Sequence, residues 1–558
     1  MNAIVVVDQN WAIGRDNDLL FSLPTDMKRF RSLTLGGTVI LGRRTLDSFP
    51  GGRPLPKRRN IVITHCPDFS REGAETVSSL AAMREATAGT PPDQLWVIGG
   101  GSIYAALLSQ CARAYVTRVD AAAETAIDSY CQGYKTFLDR GKTERDCVKY
   151  TVELAQAAGF VPFERGMALK SGDKVYRVNR NRAVNLAVIG SAPLDQGVSI
   201  CAAHIDSPRL DLKPTPLYED SELAFLKTHY YGGIRKYQWV TIPLELRGVV
   251  ALKDGSLVDV SVGGNPGDPM FTVDDLLPHL GAEQSRKPLG EAIPAENLNI
   301  LVGSRPLKDD DGADRVKLAV MDLLNQKYAI TEADFISAEI EAVPAFNAVD
   351  IGFDRSLIGS YGHDDRVCAY AALKALLDLG TPCRTAVCVL ADKEEIGSEG
   401  VSGMQSAFFD TFVGDLCDSQ NVPLKACLEK SFCMSADVTA AYDPNFAEVY
   451  EKNNSAMVNY GVGLCKYTGS RGKGGCSDAG AEAVAYVRRL LDDRNIVWQM
   501  AELGKADQGG GGTVACYMAN RNIDTLDAGV PVLSMHAPFE TVSKLDCYMT
   551  YAACKAVY

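Results

Sequence analysis

The chain has 558 residues, of which 46% are hydrophobic and 23% are charged, and its formal net charge is −13. This composition is typical of a globular protein, and the length predicts roughly two to four domains. The acidic balance provides no basic surface for nucleic acid, so we set that class of partner aside. No run of about eighteen apolar residues occurs, so we expect no membrane-spanning segment.

The cysteines and the first residues of the chain predict its compartment. Sixteen cysteines are scattered without a CxxC pair, many of them inside apolar runs such as AVCVL. This usage is typical of reduced core thiols rather than of a disulfide framework. The opening MNAIVVVDQNWAIG lacks the basic segment and the apolar run of a signal peptide. We therefore expect a cytoplasmic protein.

Predicted strands and helices alternate in residues 1–126. Apolar runs such as IVVVD, NIVIT and LWVIG are typical of strands, and helical patterns lie between them. This alternation predicts an open α/β sheet. Gly99, Gly100 and Gly101 lie between a strand and a helix, where bare amides at a helix start can bind a phosphate.

Residues 1–126 also carry, in order, the motifs WAIGRDN, LPTDM, ILGRRT, GRPLPKRRNIVIT, WVIGGGSIY and YVTRVDA. This series resembles dihydrofolate reductase. The resemblance implies that Asp26 holds the pterin ring, that Thr117 lies behind this acid, and that Arg58 receives the folate carboxylate. It implies NADPH-contacting segments at Gly42, Arg43, Arg44, Thr45, Gly99, Gly100 and Gly101.

This segment departs from the family in two ways. Phe21 stands where the family commonly has tryptophan. The family also continues into a terminal hairpin that completes the sheet, whereas ETAIDSYCQGYKTF begins a different segment here. A sheet without its last strands exposes unpaired edges. We therefore expect an incomplete α/β sheet with little reductase activity, and a protein that also reduces dihydrofolate with NADPH is the alternative.

Acidic and histidine side chains at the ends of predicted strands indicate a metal site in the second part of the chain. In CAAHIDS, His204 and Asp206 are two residues apart on a strand and share one face. A carboxylate commonly holds the second ring nitrogen of a metal-binding histidine. The strand TAVCVLA runs into Glu394 and Glu395, where carboxylates line the crevice of an α/β sheet.

Adjacent glutamates suit a hydrolase in which one carboxylate holds a metal and its neighbour transfers protons. Further candidates follow other predicted elements, and no HExxH helix is present. An oxygen-rich set with two histidines suits two divalent metals that share a carboxylate. The predicted ligands are His204, Asp364, Glu395, Asp437 and His536.

Residues 131–558 carry the motifs AAHIDSPRLDLK, KTHYYGGIRKYQWV, DLLPHL, GHDDRV, DKEEIGSEG, SADVTAAYDPN and MHAPFETVSKLD. They resemble the aspartyl aminopeptidase family of dinuclear zinc metallopeptidases. The resemblance implies that the five predicted ligands bind two zinc ions or other divalent metals, with Asp364 bridging them. It also implies two catalytic carboxylates. Glu394 is the base that activates a metal-bridging water, and Asp206 orients His204.

The resemblance also predicts the architecture. It implies an α/β/α sandwich formed by residues 127–207 and 346–558, with an inserted β-rich domain at 208–345 that mediates oligomerisation. His279 of DLLPHL matches a histidine that reaches a neighbouring subunit's active site.

Lys473 is a candidate for binding an acidic substrate side chain.

Taken together, these patterns predict a zinc aminopeptidase that removes N-terminal residues from peptides and assembles as a homo-oligomer. The family name implies acidic N-terminal residues. A related dinuclear deacylase would use similar ligands and is a further alternative. A non-enzymatic oligomeric scaffold is disfavoured, because Glu394 and every ligand position are retained.

Overall fold

The structure, a computed structural model, describes residues 1–8, 11–15, 18–19, 24–119, 121–308, 312–469 and 471–558. The chain divides into two compact units, Met1–Ala126 and Ile127–Tyr558. Phe21 lies outside the described residues. None of the described helices is long and apolar enough to cross a membrane.

The first unit is built on eight described strands and four helices. Its strands are β1 (Asn2–Asp8), β2 (Gly14–Arg15), β3 (Asp18–Leu19), β4 (Thr38–Gly42), β5 (Arg59–Ile63), β6 (Ala74–Val77), β7 (Leu95–Gly99) and β8 (Arg113–Val119). Its helices are α1 (Pro24–Thr34), α2 (Arg43–Asp47), α3 (Leu80–Thr87) and α4 (Gly101–Leu107).

Six of these strands form one sheet in the order β6-β5-β4-β7-β1-β8, and all of its pairs are parallel. Successive residues of β4 enter two different cores, Ile40 on one face and Val39 and Leu41 on the other. Burial on both faces explains the continuous apolar strands of this segment. Within the described residues β8 pairs with β1 alone, so its outer edge is open.

Two helices open the second unit. Helix α5 (Ala121–Arg140) begins before the boundary, and α6 (Glu144–Ala157) follows it. Thr143 caps α6, because its side chain accepts a hydrogen bond from the amide of Asp146 at 3.1 Å. Residues 141–143 separate the two helices.

The remaining strands, in chain order, are β9 (Val161–Pro162), β10 (Lys174–Asn179), β11 (Ala183–Val188), β12 (Val198–His204), β13 (Arg209–Asp220), β14 (Leu223–Tyr231), β15 (Leu244–Ala251), β16 (Leu257–Val262), β17 (Thr272–Val273), β18 (Ile300–Gly303), β19 (Ala338–Pro344), β20 (Val349–Ile351), β21 (Leu357–Ser360), β22 (Thr385–Ala391), β23 (Phe432–Ser435), β24 (Thr439–Ala440), β25 (Val462–Cys465), β26 (Trp498–Met500), β27 (Asp524–Gly529), β28 (Pro531–Leu533) and β29 (Glu540–Ser543). The helices are α7 (Leu289–Ala292), α8 (Arg315–Tyr328), α9 (His363–Leu377), α10 (Phe408–Asp418), α11 (Leu424–Leu428), α12 (Ala481–Asp492), α13 (Ala515–Ala519) and α14 (Lys544–Val557).

A nine-stranded sheet, β26-β25-β27-β23-β12-β22-β11-β10-β9, is the centre of this unit. Strand β12 alternates between two cores: Cys201 and Ala203 pack on the side of α9 and α14, and Ile200 and Ala202 on the side of α10. Helices therefore cover both faces, which is the α/β/α arrangement that the resemblance implied. A smaller sheet, β20-β21-β29-β28-β24, lies in the same unit.

Between β12 and β20 the chain forms a separate sheet of seven strands, β16-β15-β19-β13-β14-β18-β17. All of its pairs are antiparallel. Its own apolar core contains the fully buried Trp239 and one side of α8. The sheet begins at Arg209, shortly after His204 ends β12, and it ends at Pro344.

Candidate metal centre

Three parallel strands of the central sheet deliver side chains to one edge. Strand β12 ends at His204, which pairs with Ala391 at the end of the neighbouring β22. Glu394 and Glu395 follow β22 after a short turn, and Asp437 follows β23 on the other side of β12. The carboxyl ends of parallel strands meet at one edge, so residues far apart in sequence become neighbours.

The described histidine and acidic side chains form two groups whose ligand atoms lie within 4.8 Å of one another. Asp364 belongs to both. Its Oδ1 lies 3.2 Å from Nε2 of His204, and its Oδ2 lies 3.2 Å from Nε2 of His536. Asp437 completes the first group and Glu395 the second. All five predicted ligands are therefore brought together around one shared carboxylate.

Burial and crowding make this cluster suited to cations. Burial and then the charge of Asp364 raise the pKa of Glu395 well above its ordinary value, and burial and then Asp365 do the same to the pKa of Asp437. Among the described residues, the buried Oε1 of Glu395 has no hydrogen-bond partner. Imidazole nitrogens with carboxylate oxygens are a donor set that zinc accepts, so the residues fit divalent metal.

The pKa of Asp364 moves the opposite way. Burial alone would raise it, but hydrogen bonds from His204 and His536 outweigh burial and hold the pKa of Asp364 below its ordinary value. The shared carboxylate is thus the group of the cluster most firmly kept as an anion.

The other nitrogen of each imidazole is held by the protein. Nδ1 of His204 lies 3.0 Å from the backbone oxygen of Asp206 and 3.3 Å from its Oδ1. Nδ1 of His536 lies 2.9 Å from the backbone oxygen of Gly233, which can only accept. These contacts direct both Nε2 atoms towards Asp364, the arrangement usual for metal-binding histidines.

The adjacent glutamates differ in access. The side chain of Glu394 is 17% exposed, whereas that of Glu395 is 4% exposed. Oε2 of Glu394 lies 3.9 Å from Nε2 of His204, beside the cluster. Burial, the largest influence, raises the pKa of Glu394 to about 7. A carboxylate beside the metal ligands and open to one side can exchange protons with a bound molecule.

Asp206 ties these parts together. Its Oδ1 accepts a hydrogen bond from the amide of Glu394 at 3.1 Å, and its Oδ2 accepts one from the amide of Glu395 at 3.2 Å. The same carboxylate lies beside His204. Asp206 thus connects the predicted base with a predicted ligand.

Two residues that the sequence reasoning missed support the centre. Glu540 is buried, and its Oε1 accepts from the amide of His536 at 2.7 Å while its Oε2 accepts from the amide of Asp364 at 3.0 Å. The hydroxyl of Tyr231 donates to Oδ2 of Asp206 at 2.8 Å. Glu540 lies in MHAPFE and Tyr231 in THYYGG, two of the motifs that carry the resemblance. These motifs are the sequence signal by which both residues could have been found.

Neither of the two substrate-binding candidates belongs to a ligand group formed by the described residues. His279 is exposed in a short helical turn, Pro278–Leu280, among exposed leucines. Lys473 forms an ion pair with Asp478 at 3.1 Å, and its ammonium lies 3.9 Å from the ring centroid of Tyr467. Its charge is therefore already paired.

His363 immediately precedes Asp364, and its ring is held inside the fold. It is fully buried, with Nδ1 2.6 Å from the hydroxyl of Tyr134 and Nε2 3.1 Å from the backbone oxygen of Ile358. Burial lowers the pKa of His363 to about 3, so the ring is neutral. Both of its nitrogens are satisfied inside the fold.

In the first unit, two of the predicted folate-binding residues contact each other, and the third has other partners. The hydroxyl of Thr117 donates to Oδ1 of Asp26 at 2.5 Å. Arg58 instead donates through Nε to the hydroxyl of Thr34 at 2.8 Å and through a terminal nitrogen to the backbone of Pro56 at 2.9 Å.

The predicted NADPH-contacting segments lie at the ends of neighbouring strands. Gly42 ends β4 and precedes α2, which contains Arg43, Arg44 and Thr45. Gly99 ends β7, Gly100 caps α4, and Gly101 begins it. A Cβ atom on Gly100 would lie 3.1 Å from Oγ1 of Thr45, so the two segments are in close contact.

Comparison with known proteins decides the family. The sequence model of the aminopeptidase I zinc metalloprotease (M18) family matches residues 137–558. The chain belongs to this family. The dihydrofolate reductase model matches residues 1–153. The two matches overlap at 137–153, a part of α5 and α6 whose residues Phe137, Cys147 and Val148 lie in the core of the peptidase unit. Both predicted resemblances are confirmed.

Close relatives share most of the M18 part. A probable M18 family aminopeptidase 1 of Clostridium acetobutylicum is 50% identical over 425 residues, which cover 75% of this chain and 91% of that protein. The solved structure of an M18 aminopeptidase from Thermotoga maritima has a TM-score of 0.75 at 44% identity, and the match covers 78% of this chain and 96% of that one.

A more distant structure, the mApe1 dodecamer of yeast, has a TM-score of 0.64 at 20% identity, covering 77% of this chain and 96% of that chain. It supports the fold alone. With the close relatives, the prediction that this M18 chain is a metal-dependent aminopeptidase is confirmed.

Proposed function

We propose that this M18 aminopeptidase releases N-terminal residues from peptides with two zinc ions held by His204, Asp364, Glu395, Asp437 and His536. The observation that carries the proposal is the position of Asp364, whose two oxygens each lie 3.2 Å from a different imidazole. Two divalent ions held by these side chains would polarise the substrate carbonyl and lower the pKa of a water molecule.

The protein's own groups divide the remaining work. Glu394 takes the proton of the attacking water and returns it to the leaving amine, since its carboxylate lies beside the ligands and is partly exposed. Glu395 is the buried ligand beside it. Asp206 orients His204 and, through two amide hydrogen bonds, fixes the turn that carries both glutamates.

The test is release of the N-terminal residue from a panel of short peptides that differ at that residue. We expect activity to disappear after chelation and to return when zinc or cobalt is added, because the metal supplies the charge that polarises the substrate carbonyl and activates the water. N-acylated amino acids form the second arm of the panel. Hydrolysis of these compounds alone would assign a related deacylase, and activity that resists chelation would contradict the proposal.

Substrate preference and assembly are further parts of the proposal. An acidic N-terminal side chain would share the ammonium group of Lys473 with Asp478, so we infer only a weak preference for acidic residues. The turn that carries His279 exposes Leu276, Leu277 and Leu280, an apolar surface typical of an interface. We therefore propose that residues 208–345 form an oligomerisation domain, that the chain is a homo-oligomer, and that His279 contributes to a neighbouring active site. We also propose a cytoplasmic location.

Reduction of dihydrofolate with NADPH is a second candidate function, favoured by the hydrogen bond between Thr117 and Asp26. We nevertheless expect NADPH oxidation in the presence of dihydrofolate to remain at background. Strand β8 is the last strand of the described sheet, so its edge is left unpaired. Absorbance at the NADPH maximum provides the measurement. Ready turnover that Asp26→Asn abolishes would overturn this expectation.

A further inference from the structure

The seven-stranded inserted sheet reaches the metal centre through three consecutive residues at the end of β14. The hydroxyl of Tyr231 donates to Asp206. A Cβ atom on Gly232 would lie 3.3 Å from Oε2 of Glu395, so the backbone passes close to this ligand. The backbone oxygen of Gly233 accepts from His536. The sandwich and the inserted sheet therefore build the centre jointly.

Within the centre, the inserted sheet acts on Asp206 through the hydrogen bond from Tyr231. Its carboxylate is fully buried and meets four groups: the amides of Glu394 and Glu395, Nδ1 of His204 and the hydroxyl of Tyr231. The Tyr231 contact, at 2.8 Å, is the shortest of the four. It is also the one supplied by the inserted sheet, since the others come from the strand ends of the sandwich.

The ring of Tyr231 is itself held firmly. The guanidinium of Arg209 lies 3.8 Å from the ring centroid, and Arg209 is the residue paired with Tyr231 across β13 and β14. Arg209 is buried and forms ion pairs with Asp211 at 2.8 Å, Glu341 at 3.1 Å and Glu144 at 3.4 Å. A buried cation that lies over the ring and is itself held by three carboxylates leaves the ring little freedom.

We propose that Tyr231 is a positioning residue of the aminopeptidase reaction, whose hydroxyl sets the orientation of Asp206 and, through it, of His204 and Glu394. This inference rests on the ligand and base roles proposed above. Without the hydroxyl, the amide of Glu395 is the one hydrogen-bond donor that the described residues give to Oδ2 of Asp206. The carboxylate of Asp206 can then rotate. The imidazole of His204 and the turn that carries Glu394 and Glu395 lose the group that holds both of them.

The test compares Tyr231→Phe with Tyr230→Phe. Tyr230 is the adjacent residue of β14 and is 40% exposed, so it provides the same chemical change outside the centre. We expect Tyr231→Phe to weaken zinc affinity or lower kcat by about ten- to a hundredfold, the usual effect of losing a partner of a metal ligand, with KM unchanged. Zinc affinity is measured by competition with a chromogenic chelator. The values of kcat and KM are measured for peptide hydrolysis at saturating zinc.

A double variant shows whether Tyr231 acts through Asp206. We expect Tyr231→Phe combined with Asp206→Asn to bind zinc no more weakly than Asp206→Asn alone, because residues that act through one contact are not additive. Additive effects, or a Tyr231→Phe protein that matches Tyr230→Phe, would overturn the proposal. A loss explained by earlier thermal unfolding of the metal-free protein would also overturn it. If the wild-type protein cleaves no peptide, the proposed function fails, and the zinc affinities still decide this inference.

Discussion

Replacing Glu394 by glutamine is expected to lower the kcat of peptide hydrolysis by about 10²–10⁴-fold, the usual contribution of a general base, while the protein keeps its zinc. Glu394 lies in neither of the two ligand groups formed by the described residues. Glutamine has nearly the same shape but cannot accept the proton of the attacking water. The measurements are kcat at saturating peptide and zinc content per chain by mass spectrometry.

Glu399→Gln is the matched control, because Glu399 is an exposed residue of the same loop and the change of charge is identical. We expect this control to retain full activity. A Glu394→Gln protein with an empty metal site would reassign Glu394 as a ligand. Retained activity would transfer the base role to another group.

The second large effect is expected from Asp364→Asn, which removes the carboxylate shared by both ligand groups. An amide is a weaker ligand and cannot offer two anionic oxygens, so zinc at both positions should be lost. Because a catalytic metal supplies several kcal/mol of transition-state stabilisation, kcat should fall by about 10³-fold or more. Zinc content per chain and kcat are measured on the same preparation.

Asp437→Asn separates a shared ligand from an unshared one. Asp437 belongs only to the group with His204, so we expect its substitution to reduce zinc content without emptying the second group. Asp418→Asn, at the exposed end of α10, serves as the neutral control. Equal zinc loss in Asp364→Asn and Asp437→Asn would contradict the bridging position of Asp364.

Much of the centre could be predicted because its residues lie at the ends of regular elements. His204 ends a strand, and Glu394 and Glu395 follow the neighbouring strand. Strand ends of a parallel sheet meet at one edge, so their residue types already indicate a metal site. The parallel sheet of the first unit was predictable for a similar reason, since strands buried on both faces are continuously apolar.

The sequence by itself determined the family, the α/β architecture and the residue types of the centre. Only the tertiary structure decided which of the two adjacent glutamates is more exposed, and that Tyr231 and Glu540 support the ligands. The physical reason is that periodicity reports the faces of a single element. Contacts of Asp206 with Tyr231 and of Asp364 with Glu540 depend on how the inserted sheet and the last strands pack against the sandwich.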